Sequence, residues 1–362
     1  MSEFPRISFG IIVLNGEPFT RYCLRSLYPY AFEIIVVEGG HEDTKAVTTP
    51  DGHSIDGTLE TLYRFKKEED IENKVQIITR DGFWTKRDEL GRDRTHQSRA
   101  YSERATGDYL WQVDIDEFYR TEDMLKIITM LRNDPSITQI SFPVHTFWAR
   151  PAYVVDGWKR RRGDPFNRLF KWGPGYQYVT HEPPTVIDNN GRDLINQHWI
   201  TAKQMAHKGI FLYHYAHLFP RQVLQKAQIY QYEKIGRNVQ NYLKVYQWAQ
   251  NNYIKLGDPY HVERHYSFAS WLNRFNGEHP AQVQQMMADI DNGIIKEDLR
   301  EITDVEELLN SKRYWMKKNF LIFWDFVDRF WQWLSYQKLR ASHVPGKIMK
   351  LLQNGQGLKK NA

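Results

Sequence analysis

Short apolar runs alternate with helical patterns through the first 150 residues of the chain. The runs occupy residues 7–14, 33–37, 75–79, 109–113 and 137–144. Helical patterns lie between them at residues 19–28, 59–67 and 95–105. Continuous apolar runs of this kind are typical of strands that are buried on both faces of a parallel sheet. The order therefore predicts an α/β fold in which right-handed crossovers build a mostly parallel sheet flanked by helices.

Polar side chains follow these runs where each predicted strand ends. They are Asn15 and Glu17, Glu38, Asp81, and the pair Asp114 and Asp116. In such sheets, ligands bind outside the carboxyl ends of the strands. We therefore expect one ligand site at this edge. No G-x-G-x-x-G follows the first run, which disfavours a dinucleotide site.

Asp114 and Asp116 stand two residues apart directly after the fourth run. If the strand continues through them, both carboxylates point to the same face, because side chains alternate along a strand. Two such charges about 4 Å apart repel by ~4 kcal/mol at an effective dielectric of about 20. The favoured explanation is a divalent ion, Mg²⁺ or Mn²⁺, that also binds phosphate oxygens. The alternative is a solvated acidic strand end.

Composition narrows the class of protein. The 362 residues allow one large domain with an appendage, or two domains. The mild net charge of +5 does not indicate a nucleic-acid partner. Cys23 is the single cysteine, which favours a reducing compartment. Residues 1–9 lack a signal-peptide core, and no stretch reaches the roughly 20 apolar residues of a membrane-spanning helix. We expect a cytoplasmic protein, free or peripheral at a membrane.

The motifs along residues 7–232 together resemble glycosyltransferase family 2, whose members are nucleotide-sugar transferases with the GT-A fold. The matching pieces are residues 10–17, 33–40, 54–58, 97–100, 105–109, 112–117 and 212–215, followed by 222–223 and Lys226. The resemblance implies a GT-A fold with a helical C-terminal extension. It also implies transfer of a hexosyl or related group, with inversion, from a nucleotide-diphosphate donor to an acceptor hydroxyl.

The same resemblance implies a metal site that uses Mn²⁺ or Mg²⁺. Asp116 would hold the divalent ion, and Asp114 would contact it through water or contact the donor ribose. His214 would be a further ligand of the metal or of a phosphate. Mixed ligation by oxygen and imidazole nitrogen is chemically reasonable for Mn²⁺.

Donor contacts follow in part from the resemblance and in part from the strand ends. By resemblance, Glu38 would contact the nucleotide base and Arg99 would lie near the donor. Asp56 matches a family aspartate, although an insertion at residues 41–53 displaces it. The full set predicted to bind the nucleotide sugar is Asn15, Glu17, Glu38, Asp56, Asp81, Arg99 and Asp114.

The acceptor hydroxyl must lose a proton to a nearby base. Glu182 is the first candidate for that catalytic role, because two prolines fix the backbone after it and His181 precedes it. Asp164 is the second candidate. The alternative for Glu182 is a residue of a surface turn. The acceptor could be a glycan, a lipid-linked molecule or a protein.

The pattern predicts four segments. They are a catalytic domain at residues 1–220, a helical region at 221–300, an aromatic and basic amphipathic helical segment at 301–343, and a disordered tail at 344–362. Aromatic and basic residues are interleaved at 313–339, which suggests a helix in the plane of a membrane surface. The alternative is a helix that packs on the catalytic domain or on a second subunit.

Two other functions remain open at this stage. A nucleotidyltransferase would need a Gly-rich loop with Lys or Arg after the first strand, and residues 15–18 do not provide one. A non-catalytic sugar- or membrane-surface-binding protein on the same fold is the second alternative, and the intact aspartate pair speaks against it.

Overall fold

A computed structural model describes residues 4–84, 95–163, 165–232, 245–263 and 268–341. The chain forms two compact units, Met1–Glu306 and Glu307–Ala362. Two predictions, Asp164 as a catalytic residue and the disordered tail, fall outside the described residues.

Strands and helices alternate from residue 7 to residue 112, and strands predominate from residue 139 to residue 217. The strands are β1 Ile7–Val13, β2 Glu33–Glu38, β3 Val75–Ile78, β4 Tyr109–Gln112, β5 Glu117–Phe118, β6 Gln139–Phe142, β7 Val144–Trp148, β8 Arg150–Gly157, β9 Phe166–Lys171, β10 Gln177–Thr180, β11 Thr185–Ile187, β12 Trp199–Ile200, β13 Leu212–His217 and β14 Ser270–Arg274. The helices are α1 Thr20–Leu27, α2 Thr58–Glu68, α3 Thr95–Ser102, α4 Thr121–Asn133, α5 Trp158–Arg161, α6 Ala202–His207, α7 Pro220–Tyr232, α8 Ala281–Asp291, α9 Thr303–Asn310 and α10 Lys312–Ala341.

The central sheet has seven strands in the order β12-β6-β9-β4-β1-β2-β3. Strand β1 pairs in parallel with β2 and β4, and β2 pairs in parallel with β3. The predicted α/β class with a mostly parallel sheet is therefore confirmed. Strand β9 runs antiparallel to both of its neighbours, β4 and β6. It inserts between strands that precede it in the chain.

Two hydrophobic cores cover the two faces of this sheet. Phe9 and Ile34 belong to one core, and Ile35 and Val37 belong to the other. Burial on both faces explains why these strands read as continuous apolar runs. Helix α3 packs directly on β1, since a side chain at Gly10 would overlap the Tyr101 ring.

The aspartate pair lies in a turn and not on a strand. Strand β4 ends at Gln112, and the Glu117 amide donates a hydrogen bond of 2.9 Å to the carbonyl of Asp114. The prediction that strand alternation places both carboxylates on one face was therefore wrong in its mechanism. The turn instead leads into β5, which is an edge strand of a second sheet with the order β14-β8-β7-β13-β5.

The C-terminal part is not wholly helical. Strand β14 lies within the region predicted to be helical and pairs with β8. The predicted domain boundaries at residues 220 and 300 stay predictions. In the second unit, α10 is one helix of 30 residues, which agrees with the predicted helical extension. Within the described part of the chain, no helix is long and apolar enough to cross a membrane.

Candidate active site

A cavity of about 600 Å³ opens at the carboxyl ends of β1 and β4. The structure brings six of the sequence-predicted site residues to its wall. They are Asn15, Glu17, Asp114, Asp116, Glu182 and His214. The expected edge of the sheet therefore does collect polar groups. A volume of this size lies within the usual range for ligand sites.

Asp116 is buried and is held by two side chains of α7. Oδ2 of Asp116 accepts hydrogen bonds from Lys226 Nζ at 2.6 Å and from Gln222 Nε2 at 2.7 Å. Residues 222 and 226 are four apart, so both point from one face of the helix. Burial alone would raise the pKa of Asp116. The Lys226 ammonium and His214 outweigh burial and hold that pKa well below its ordinary value.

Arg168 on β9 joins Asp114 to the buried Glu117. Its Nη2 lies 2.9 Å from Asp114 Oδ2 and 2.6 Å from Glu117 Oε1, while its Nε donates to Glu117 Oε2 at 2.8 Å. Burial raises the pKa of Glu117, although Arg168 opposes that effect. Burial also favours the neutral form of Asp114, but Arg168 and His181 lower its pKa overall. Protein cations thus already face both aspartates.

His214 reaches the site because β13 runs antiparallel to β5 and sets it opposite Glu117. Its Nε2 lies 3.5 Å from Asp116 Oδ1. Its Nδ1 is buried without a hydrogen-bond partner among the described residues. In the same part of the chain, no three His, Cys, Asp or Glu side chains form a ready metal cluster. One carboxylate and one imidazole fit an ion whose remaining ligands are phosphate and water.

Glu17 borders the same cavity, and burial raises its pKa to about 7. Its backbone amide donates to Asp56 Oδ2 at 2.9 Å, and Asp56 also pairs with Arg221 at 3.2 Å. Asp56 does not line the cavity. The structure instead places it behind Glu17, where it fixes the backbone after β1.

Glu38 is fully buried at the end of β2 and does not line the cavity. One oxygen accepts a hydrogen bond from the Ser54 amide at 2.8 Å, and the other lies 2.7 Å from His53 Nδ1. Both oxygens therefore hold the inserted segment against the strand end. This geometry supports a positioning role, and the predicted contact with a nucleotide base remains a prediction.

Asp81 and Arg99 lie away from the cavity wall. Both side chains are exposed, and Arg99 Nε donates to the Tyr178 carbonyl at 3.4 Å. The structure does not bring these two predicted donor contacts together with the aspartate pair.

The segment with Glu182 closes another side of the cavity. His181 is buried, and its Nδ1 lies 2.8 Å from Ser98 Oγ on α3. Glu182 is exposed at the wall, where an incoming molecule could reach it.

Arg168 is the site residue that sequence reasoning missed. It lies in β9, next to Asn167 and Leu169, with no motif around it. Only the pairing of β9 with β4 places it beside Asp114. Lys226 belonged to the quoted family motif but was given no role.

No protein-family model matches this chain, and no curated protein matches it. Among solved structures it is similar to S. aureus TarS 1–349 in complex with UDP-GlcNAc, at 14% identity and a TM-score of 0.29. That alignment covers 39% of this chain and 35% of that chain. It is also similar to glucosyl-3-phosphoglycerate synthase from Mycobacterium tuberculosis with Mn²⁺ and UDP, at 15% identity and a TM-score of 0.26. That alignment covers 40% of this chain and 44% of that chain.

The chain is also similar to the mannosyltransferase PcManGT from Pyrobaculum calidifontis in complex with GDP-Man and Mn²⁺. The identity is 12% and the TM-score 0.37, over 91% of this chain and 88% of that chain. The matched region thus covers less than half of the TarS chain solved with UDP-GlcNAc and of the synthase chain, and 88% of PcManGT. Proteins solved with sugar nucleotides are thus among those to which this chain is similar.

Proposed function

We propose that this protein is a metal-assisted glycosyltransferase that moves a sugar from a nucleotide-diphosphate donor to an acceptor hydroxyl, with inversion. One observation carries the proposal. Three carboxylates, those of Asp114, Asp116 and Glu117, meet two cations, Lys226 and Arg168, at the strand-end edge of a parallel sheet. That count leaves one negative charge in excess beside an open cavity. Such a site attracts a divalent cation that brings a polyanion with it.

The donor diphosphate is proposed to bind beside Asp116. A divalent ion held there by Asp116 and His214 would act as a Lewis acid that stabilises charge on the leaving diphosphate. Lys226 is 40% exposed and can contact a phosphate oxygen from the cavity side. Arg168 orients Asp114 and stays paired with Glu117.

The nucleoside is proposed to lie over the ends of β1 and β2, against Asn15 and His41. Asn15 orders this wall, because its side chain donates to the Val47 carbonyl at 2.7 Å and accepts from the Ile55 amide at 2.9 Å. Glu38 also holds the inserted segment, since one of its oxygens lies 2.7 Å from His53 Nδ1. The insertion therefore supplies a fixed wall for the donor.

Glu182 is proposed as the base that takes the proton from the acceptor hydroxyl. Its exposed position at the cavity wall suits an acceptor that arrives from solvent. His181, anchored on Ser98, keeps the backbone of this segment against α3.

The test is product analysis on a panel of UDP- and GDP-sugars with Mn²⁺. We expect release of UDP or GDP from at least one donor, and a loss of at least about 100-fold in Asp116→Asn. Asp134→Asn, at a half-exposed carboxylate that does not line the cavity, is the matched control and should retain full activity.

Other products would identify the rival functions. Release of pyrophosphate or a nucleoside monophosphate would indicate nucleotidyl transfer. Sugar-nucleotide binding without turnover across the panel would favour the non-catalytic binding protein.

A further inference from the structure

Helix α10 (Lys312–Ala341) presents large apolar side chains to solvent along most of its length. Nine of them are at least 47% exposed. They are Trp315, Met316, Phe320, Phe323, Trp324, Phe326, Phe330, Trp331 and Trp333. Exposed apolar side chains in such number on one element mark a surface that contacts something else.

These nine side chains fall within about half of the helix circumference at 3.6 residues per turn. The charged residues between positions 315 and 333 lie on the other half. They are Lys317, Lys318, Asp325, Asp328 and Arg329. Arg329 and Asp325 pair there at 3.2 Å. The apolar half of the helix is therefore uncovered, whereas on the other half Asp325 is fully buried and Tyr314 is 3% exposed.

Charge is concentrated in the same part of the chain. The helix holds seven Lys and Arg against two Asp and no Glu, a formal charge of +5. With residues 342–362 included, the segment reaches +9, so residues 1–311 carry −4 of the total of +5. The protein as a whole is only mildly basic because its two parts have opposite signs.

The charge disfavours one partner, a second copy of this chain that pairs through the same helix, and favours an anionic lipid surface. A second copy of this chain would bring an equally basic helix alongside, and the like charges would repel. An anionic lipid surface attracts the same charges, and Trp is enriched where a bilayer meets water. An apolar half with Trp and Phe beside a basic half is the pattern of helices that lie in that interface.

We propose that α10 lies in the plane of an anionic lipid bilayer, with its aromatic half at headgroup depth and its basic residues facing anionic headgroups. This inference is independent of the proposed enzymatic function.

The experiment is flotation of the full-length protein with two kinds of vesicle. One contains phosphatidylcholine with about a third phosphatidylglycerol, and the other contains phosphatidylcholine alone. We expect the protein to float with the anionic vesicles and to be released at about 0.5 M salt, where surface charges are screened. The triple change Trp315→Ser, Phe323→Ser and Trp331→Ser should abolish flotation.

Two controls separate loss of binding from loss of folding. Ile71→Ser removes a side chain that is 91% exposed in the first unit, and it should float like the wild type. Circular dichroism should show equal helix content in all variants. Replacement of Lys312, Arg313 and Lys317 by Gln should weaken partitioning about fivefold for each charge removed.

Three results would overturn the proposal. They are a wild-type protein that stays unbound to anionic vesicles, a triple variant that floats unchanged, and charge variants that partition like the wild type. The protein could instead self-associate in ultracentrifugation, lose that self-association through the triple change, and bind no vesicles. That result would assign the surface to a second copy.

Discussion

The Lys226 ammonium lies 2.6 Å from the Asp116 carboxylate, although the two residues are 110 positions apart in the chain. The pair places a protein cation on the carboxylate that the sequence predicts to hold a divalent ion. A metal at Asp116 must therefore share that carboxylate with Lys226 or displace it.

Lys226→Met should change metal binding and catalysis in opposite directions. Without the ammonium, Asp116 offers more negative charge, so the nucleotide-free protein should bind Mn²⁺ about fivefold or more tightly. Turnover should fall by about tenfold or more, because the leaving diphosphate loses a cationic contact. Calorimetry with Mn²⁺ and a steady-state assay measure the two effects.

Lys208→Met is the matched control, since Lys208 is exposed and does not line the cavity. An Mn²⁺ affinity that stays the same in Lys226→Met would show that the ammonium and the metal do not compete.

Arg168→Met should destabilise the fold, because it leaves Glu117 fully buried without its cation. Loss of one partner of a buried ion pair costs about 3–5 kcal/mol in the free energy of unfolding. Denaturant titration measures the change, and adding Glu117→Gln should recover part of it. Arg6→Met, which breaks an exposed pair with Asp108, should cost less than about 1 kcal/mol. Equal costs for the two Arg changes would contradict this reading of the site.

The contrast between Arg168 and the strand-end residues shows what the sequence could predict. Apolar runs and strand-end positions are local signals, so β1, β2 and β4 and the cluster of Asn15, Glu17 and Asp116 were predictable. The place of Arg168 depends on the pairing of distant strands, which no local pattern encodes. The fold of the first unit was therefore more predictable than the charge network of its candidate site.

The aspartate pair itself shows the same limit. Its convergence on one cavity was predicted, but from strand alternation, whereas the structure uses a turn closed by the Glu117 amide. The predicted need for positive charge was sound. Arg168 and Lys226 meet part of that need, and both come from elements far along the chain.

Glu17→Gln should alter how stability depends on pH. Burial raises the pKa of Glu17 from 4.5 to about 7, so the folded state keeps its proton while the unfolded state loses it. This residue stabilises the fold fully below pH 4.5, and that contribution is lost as pH rises to about 7. Glu17→Gln has no such contribution to lose. The free energy of unfolding of the variant should therefore rise relative to that of the wild type, by up to about 3 kcal/mol between pH 4.5 and pH 7.

Denaturant titrations at a series of pH values measure that difference, with Glu122→Gln on the surface as the control. If the difference in stability between the two proteins stays constant from pH 4.5 to pH 7, burial does not raise the pKa of Glu17.

Glu182→Gln should lower kcat by about 100-fold or more and leave the KM for the donor unchanged. The acceptor proton would lose its base, while the donor half of the cavity stays intact. Steady-state kinetics with the donor found in the panel measure both constants. Activity at the wild-type level would remove Glu182 from the mechanism.

The most direct test of the central claim is calorimetric titration of UDP and GDP into the wild type and Asp116→Asn, with and without Mn²⁺. We predict that Mn²⁺ tightens binding of at least one of the two by about tenfold or more in the wild type. We also predict that this gain disappears in Asp116→Asn while the melting temperature holds. Equal affinity with and without Mn²⁺ in both proteins would contradict a metal–diphosphate site at Asp114 and Asp116.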